Sequence, residues 1–399
     1  LVVAEPDVAA VRYRMLETVH AYARALLDDA GEATSLRARH LAWCHALVEG
    51  AWPDLISPGE MALLARLERE LDNVRAALAW GRTGGCAVAA LDVASGLTFL
   101  WIAKGYLVEG KALLDAAMAS ADASRAPRSW ACALWAASLL AYYRGELAEA
   151  RSLGERALTV RRELGSPKDL IQSLKDLGIV ARAQRDPAAA RHFLEEAVAL
   201  SRRAGDEANL AVSLDRLGTV AHAAGDWDDA RDLYDRSSAI WRRLGDHSNC
   251  AWSLLNQGRL ALDRADLRAA HALLRASLEL RRADGHRPGL ICLLEAFLVL
   301  AWREGQALRA AHLAAAVAAL RDASGLRRMP SHQADLDRAV LGAREALGEA
   351  AFARARSTGS VLVLEEAIAL ALGDAAAPGP SNTLRPGGAG IEPPPGWSQ

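Results

Sequence analysis

The segment Gly105–Ala112 is the part of this chain that comes nearest to a nucleotide-binding motif. Gly105 lies five residues before Gly110-Lys111, close to the G-x-x-x-x-G-K-[S/T] pattern in which backbone amides and a lysine hold phosphates. Ala112 lacks the hydroxyl that would bind magnesium, and Glu109 would place a carboxylate beside the phosphates. The segment therefore predicts no nucleotide site.

Histidine, serine and cysteine spacing gives no catalytic or metal-ligating pattern either. His40 and His45 are five residues apart, off the spacing that puts two ligands on one helical face, and the chain has no H-E-x-x-H, G-x-S-x-G or S-x-x-K motif. The 5 cysteines form no C-x-x-C pair, which favours a reducing, cytoplasmic location. We expect no enzyme activity, no metal site and no cofactor in this chain.

Composition points to helices and names no charged partner. Of the 399 residues, 52% are hydrophobic but only 5% aromatic, and the formal net charge is -2. Apolar content made of Ala, Leu and Val favours close-packed helices, and a charge near zero does not by itself recruit nucleic acid or a membrane. The most apolar stretch, 87–103, is interrupted by Asp92 and Ser95, so we expect no membrane span.

The dominant feature is a repeat with a period of forty residues. Glycines recur at this spacing, as do one leucine and two alanines per unit: Gly165, Gly205, Gly245, Gly285 and Gly325; Leu134, Leu174, Leu214, Leu254 and Leu294; Ala141, Ala181, Ala221, Ala261 and Ala301; Ala150, Ala190, Ala230, Ala270 and Ala310. Because apolar residues within each unit follow helical spacing, each unit is predicted to be a pair of helices. Asp186 and Asp226 are predicted N-caps of second helices, and Gly245 closes one in a left-handed conformation.

Small residues at fixed positions resemble the tetratricopeptide repeat. Gly178, Gly218 and Gly258 are each followed by an alanine twelve residues later, and Ala157, Ala197, Ser237 and Ser277 complete the pattern. The resemblance implies an all-α fold, a TPR-like α-solenoid of about six helical hairpins over 87–326, in which neighbouring hairpins stabilise one another.

In such repeats, one stripe of each first helix lines the concave face. The residues predicted to lie there are Trp135, Tyr142, Lys175, Arg182, Asp215, His222, Trp252, Arg259, Trp302 and Arg303. Aromatic and charged side chains together suit a protein partner or a small effector, although ordinary packing could also place them. A second stripe of arginines, from Arg161 and Arg162 to Arg281 and Arg282, is interpreted as complementing helix dipoles rather than binding phosphate.

Both flanks resemble bacterial regulators of the STAND ATPase class, similar to the AfsR and large LuxR-type groups. The runs 1–4 and 11–15 with the helix 17–29 resemble the end of a winged-helix module, 67–80 resembles the connector ahead of the repeats, and 347–352 and 364–369 resemble the closing helices. The resemblance implies a signal-sensing arm of a transcriptional regulator, with ATP and DNA bound only by domains not present here. The alternative is a free-standing TPR scaffold without a transcriptional role.

The expected organisation has five parts. These are 1–30, the end of a winged-helix module; 31–86, a helical connector; 87–326, the repeats; 327–372, C-terminal capping helices; and 373–399, a disordered tail rich in Pro, Gly and Ser. Because the chain starts at Leu1 and enters a strand at once, we expect it to be a piece of a longer protein.

Overall fold

The structure is a computed structural model that describes residues 2–6, 11–49, 60–284, 287–324 and 333–373. Its residues divide into two compact units, each described by itself below. Unit 1 is Leu1–Leu260 with Ala276–His286, and unit 2 is Ala261–Arg275 with Arg287–Gln399. This division falls within the repeat region, so the predicted boundaries at 86 and 326 remain predictions.

Unit 1 begins with a β-hairpin. Strands β1 (Val2–Pro6) and β2 (Val11–Met15) pair antiparallel, with Val2 opposite Met15, and α1 (Glu17–Asp29) follows. The predicted strands and helix are therefore confirmed, while the winged-helix identity of this part stays a prediction. The connector is helical where it is described: α2 (Ala33–Glu49), α3 (Glu60–Arg69) and α4 (Leu71–Gly81).

Six helical hairpins follow, as the forty-residue period predicts. The first consists of α5 (Ala87–Gly96), α6 (Thr98–Lys104) and α7 (Leu107–Ser120). The others are α8 (Pro127–Arg144) with α9 (Leu147–Leu164), α10 (Pro167–Ala183) with α11 (Pro187–Ala204), α12 (Glu207–Ala224) with α13 (Trp227–Leu244), α14 (His247–Asp263) with α15 (Leu267–Asp284), and α16 (Arg287–Arg303) with α17 (Ala307–Ser324).

The first hairpin departs from the others because its first helix is broken at Leu97. The Thr98 hydroxyl donates to the carbonyl of Ser95 at 2.6 Å, and the Ser95 hydroxyl donates to the carbonyl of Leu91 at 2.7 Å. Hydroxyls that bond to nearby carbonyls compete with helical hydrogen bonds, and Gly96 lowers the cost of leaving the helix. The apolar segment Ala87–Lys104, which has the length and composition of a membrane span, is thus two helices, and half of it is buried in the protein.

The repeated leucines and alanines form the core, as predicted. All of the leucines from Leu134 to Leu294 and the alanines of both series, from Ala141 to Ala310, are buried. Close approach within a hairpin depends on small residues: a Cβ placed on Gly218 would lie 2.6 Å from the Tyr234 ring, and a Cβ on Gly178 would lie 2.6 Å from Leu194. The glycines of the TPR-like pattern therefore make room for a large side chain of the second helix.

The ends of the helices follow the predicted capping with one correction. Gly245 has a φ of 71°, and the Asp186 carboxylate accepts a hydrogen bond from the amide of Ala189 at 3.0 Å. Asp226 does not cap α13 with its side chain, and its carboxylate pairs instead with Arg191 of α11 at 3.2 Å. Gly285 and Gly325 lie outside the described residues.

Unit 2 contains the end of α14, the first part of α15, the hairpin of α16 and α17, and three further helices. These are α18 (Gln333–Leu347), α19 (Glu349–Gly359) and α20 (Leu364–Leu372). Arg309 of α17 donates hydrogen bonds to the carbonyls of Leu370 and Ala371 at the end of α20. The predicted capping region is helical where it is described, and the predicted tail lies outside the described residues from 374 onward.

Candidate functional site on the first-helix face of unit 1

Eight of the ten predicted face residues lie on four consecutive first helices of unit 1. Trp135 and Tyr142 are on α8, Lys175 and Arg182 on α10, Asp215 and His222 on α12, and Trp252 and Arg259 on α14. The remaining two, Trp302 and Arg303, are on α16 of unit 2. We call the surface formed by α8, α10 and α12 the first-helix face.

A carboxylate that the sequence analysis did not single out organises this face. Asp176 of α10 accepts hydrogen bonds from Trp135 Nε1 at 2.8 Å, from Gln172 Nε2 at 2.7 Å and from Arg216 at 3.0 Å. We call these four residues the Asp176 network. Because Trp135 is on α8 and Arg216 on α12, the network connects three successive hairpins. In the sequence, Asp176 follows Trp135 by 41 residues and precedes Arg216 by 40 residues, which matches the period of the repeat.

Lys175 points into the packing between hairpins rather than to an open surface. Its side chain is buried, and its ammonium donates to Asn209 Oδ1 of α12 at 2.6 Å. Burial lowers the pKa of Lys175 to about 7, and the nearby charge of Arg216 acts in the same direction. At neutral pH this amine therefore exists in both protonation states.

Asp215 repeats the same kind of contact one hairpin further on. Its Oδ2 accepts a hydrogen bond from Asn256 of α14 at 2.9 Å, an offset of 41 residues. Burial raises the pKa of Asp215 to about 6, against the lowering effect of Ser253 and Asn256. Burial also raises the pKa of Tyr234 above its ordinary value, and the negative charge of Asp215 adds to that effect.

Two tyrosines and an arginine form the accessible part of the face. The rings of Tyr142 and Tyr143 meet edge to face, with centroids 5.2 Å apart. Tyr142 is half-buried and Tyr143 is 41% exposed, and burial raises the pKa of both hydroxyls. Arg182 is half-buried, and its charge lowers the pKa of Tyr142, so it lies within electrostatic reach of that hydroxyl.

The three tryptophans of the predicted face pack against neighbouring residues, and one of them, Trp135, is a correction because it is not exposed. Trp135 is buried, 2% exposed, in contact with Phe99 and with Arg161 over its ring at 5.5 Å. Trp252 is half-buried beneath Arg281 at 4.8 Å. In unit 2, the Trp302 ring packs against Gly342 of α18, in the space that a Cβ on this glycine would need. These indoles contribute to packing, the alternative that the sequence left open, while His222 and Arg259 are half-buried and Arg303 is exposed.

The repeated arginines differ in their burial and in their partners. Arg161 and Arg281 are buried over tryptophan rings and donate to Ser173 and Ser248 at 2.8 and 2.6 Å. Arg162, one residue along, is exposed and pairs with Glu196 at 2.8 Å. Arg161, Arg162 and Arg281 all lie in the last turns of their helices, so dipole complementation stays a prediction. The two buried arginines make these further contacts because one register position of the second helix faces the core.

The residues considered for catalysis hold structural positions. Lys111 lies on α7 and pairs with Asp115 at 2.7 Å and Glu149 at 3.2 Å. His45 lies 3.7 Å from Asp92, and among the described residues no group of three or more His, Cys, Asp or Glu could hold a metal ion. Burial raises the pKa of Cys44 to about 11, which makes its thiol a poor nucleophile.

Comparison with known proteins identifies the repeats. A family model described as tetratricopeptide repeat matches residues 131–203 and 208–283, so this part of the chain carries tetratricopeptide repeats in a solenoid of helical hairpins. A Rap protein solved in complex with competence and sporulation factor superposes with a TM-score of 0.53 at 10% identity, covering 86% of this chain and 97% of that one. At this identity the likeness concerns the fold.

Regulators appear among the other similar proteins. Proteins of Mycobacterium tuberculosis and Mycobacterium bovis that are named as HTH-type transcriptional regulators are 42% identical over 113 residues. The match covers 28% of this chain and 12% of those relatives, so the aligned part spans about one eighth of their length. A STAND protein with a tetratricopeptide repeat sensor from Pyrococcus horikoshii has a TM-score of 0.48 at 12% identity, covering 76% of this chain and 44% of that one.

Proposed function

We propose that this chain is the signal-sensing, protein-interaction arm of a transcriptional regulator and that its first-helix face binds a partner or effector. The regulator would hold its ATPase and DNA-binding activities outside these residues. Tetratricopeptide repeats in residues 131–283 support an interaction role, and the relatives named as HTH-type regulators support the transcriptional context.

The observation that carries the proposal is the Asp176 network. It fixes side chains of three successive hairpins against one another, on helices that also carry the accessible Tyr143 and the half-buried Arg182. Rigid aromatic rings and guanidinium groups on a preorganised scaffold supply binding energy at low entropic cost. The face therefore suits recognition rather than catalysis.

Transcript profiling in the organism of origin tests this function. A chromosomal Tyr142→Ala/Tyr143→Ala double variant is expected to change a defined set of transcripts, because the accessible rings of the face are lost. Arg156→Met, at an exposed arginine of α9, is the matched control and is expected to match the wild type. Unchanged transcripts, with normal levels of the double variant in the cell, would contradict the regulatory role and favour the free-standing scaffold.

A further inference from the structure

Lys175 is a buried amine that has one polar partner and no counter-ion among the described residues. Its side chain is 5% exposed, and Nζ donates to Asn209 Oδ1 at 2.6 Å. The carboxylate next to it in the sequence, Asp176, accepts hydrogen bonds within the Asp176 network instead. An ammonium group buried beside an amide oxygen loses more hydration than this contact replaces, so burial favours the neutral amine.

A guanidinium group stands at the register position across from Lys175. Side chains 41 residues apart form hydrogen bonds between successive first helices at two places: from Trp135 to Asp176, and from Asp215 to Asn256. Lys175 and Arg216 are a further pair with this offset, and a second positive charge at this position opposes protonation of the amine. The Lys175 pKa of about 7 agrees with both effects, although the charges of Asp176 and Asp206 act against them.

Arg216 also has N–H groups that find no acceptor in the described part of the chain. Its Nη1 donates to Asp176 Oδ1 at 3.0 Å, and its side chain is 28% exposed. Nε and Nη2 make no hydrogen bond with any described residue. Because a guanidinium group has five N–H donors, an anionic group formed on the Lys175 amine would find donors that Asp176 does not use.

A neutral buried amine beside a guanidinium group fits one covalent reaction, the addition of carbon dioxide. The lone pair of the amine attacks the carbon atom, one C–O π bond breaks to give a carboxylate oxygen, and the nitrogen releases a proton to solvent. The product is a carbamate, whose remaining N–H still has Asn209 Oδ1 as its acceptor and whose carboxylate has Arg216 as its counter-ion. Carbon dioxide is small and uncharged, so it enters a nearly closed site without carrying a charge into it.

We propose that Lys175 reversibly binds carbon dioxide as a carbamate that Asn209 and Arg216 stabilise. The adduct places a negative charge between α10 and α12, where the free amine is neutral or positive. An aldehyde would also react with this amine, but the imine it forms carries no negative charge and makes no use of Arg216, so the guanidinium favours carbon dioxide. The inference concerns a modification of the chain itself and goes beyond the proposed binding of a partner or effector.

Trapping of the carbamate in the full chain tests the proposal. The protein is equilibrated with carbon-13-labelled sodium bicarbonate at pH 7.5, triethyloxonium ion converts carbamates to stable ethyl esters, and mass spectrometry of tryptic peptides locates them. Lys168, an exposed lysine of the same helix, is the internal control. We expect labelling of Lys175 to exceed that of Lys168 at least about tenfold, because an ordinary lysine is neutral in only about one molecule per thousand at this pH.

Carbon-13 NMR of the same samples and of three variants assigns the adduct. The α-amino group of the chain also forms a carbamate, so its signal should appear in every sample and shows that the labelling works. A second signal is expected in the wild type, absent in Lys175→Met and retained in Lys168→Met. Arg216→Met should lower the labelled fraction of Lys175 severalfold, because the carbamate loses its counter-ion. Circular dichroism of every variant verifies folding.

Three outcomes would overturn the inference. Absence of label at Lys175, in samples whose α-amino group is labelled, would refute carbamate formation. Equal labelling of Lys168 and Lys175 would show the ordinary reactivity of a lysine rather than a site. A labelled fraction that is unchanged in Arg216→Met would refute the ion pair on which the site depends. The transcript experiment decides the regulatory role separately from all three.

Discussion

Lys175 Nζ lies 2.6 Å from Asn209 Oδ1, and this contact between α10 and α12 holds an amine that is only 5% exposed. No carboxylate forms an ion pair with Lys175 among the described residues. A buried lysine usually pairs with a carboxylate, which carries a full negative charge, whereas the Asn209 amide oxygen carries only a partial one. The protonated form of Lys175 therefore remains destabilised by burial.

Stability is therefore expected to increase with pH above neutrality. The Lys175 pKa is about 7 in the folded chain and near 10.5 when unfolded. Between these values the unfolded state binds more protons, so the free energy of unfolding rises with pH, by up to about 1.4 kcal/mol per pH unit. Chemical denaturation at pH 7.5 and 9.5 should show this gain in the wild type and a smaller one in Lys175→Met. An identical pH dependence in both proteins would contradict the prediction.

Asp215 should make the free energy of unfolding fall as the pH rises in the acidic range, opposite to the effect of Lys175. Its pKa is about 6 in the folded chain and near 3.8 when unfolded, so the folded state binds more protons between these values. Stability from this group is present below pH 4 and is lost as the pH rises through 6. Asp215→Asn should remove about 2 kcal/mol of that pH dependence, measured by denaturation at pH 4 and 6.5. Parallel profiles for wild type and variant would count against a raised pKa for Asp215.

Two residues occupy a backbone conformation that suits glycine. Arg185 and Ala265 end their first helices at φ of 60° and 59°, at the position that Gly225 holds in the intervening hairpin with a φ of 84°. Arg185→Gly and Ala265→Gly are expected to stabilise the protein by about 0.5–1 kcal/mol each, since a side chain costs energy in this region. Thermal unfolding provides the measurement, with Gly225→Ala as the control that should destabilise. A lower midpoint for both glycine variants would exclude strain at these ends.

Replacing one partner of the buried ion pair of unit 2 should destabilise the protein strongly, whereas replacing both partners should cost little stability. Glu295 and Arg321 approach within 2.7 Å, with side chains 6% and 7% exposed. Glu295→Gln alone is expected to destabilise by about 3 kcal/mol because it leaves a buried cation, whereas Glu295→Leu/Arg321→Met should recover most of that loss. Urea denaturation of the three proteins measures both effects. A double variant as unstable as the single one would show that the pair itself stabilises unit 2.

The period of forty residues predicts most of the fold because equivalent positions of successive repeats have the same environment in each hairpin. Leu134, Leu174 and Leu214 are all buried, and Gly205 and Gly245 both adopt a positive φ. The break at Leu97 was not predicted, and the hydroxyls of Ser95 and Thr98 bond to carbonyls beside it.

The candidate site was predicted only in part. Tyr142 and Arg182 lie on the accessible face, but Asp176 and Arg216 were missed. These two residues occupy the same position of successive repeats, and that position is alanine at Ala136, so no residue type recurs there. Only the packing of α10 against α12 brings their charges together. The search for aromatic side chains also selected Trp135, whose indole is buried by its neighbours.

The bonds between hairpins join residues about one repeat apart, as from Trp135 to Asp176 and from Asp215 to Asn256. Within the repeats of unit 1, these bonds join neighbouring hairpins, and such contacts favour folding that starts within one hairpin and spreads to the next. Gene duplication or loss of a whole forty-residue unit preserves the alignment of every remaining helix. A single-residue insertion inside a helix instead turns the following side chains by about 100° and separates them from their partners.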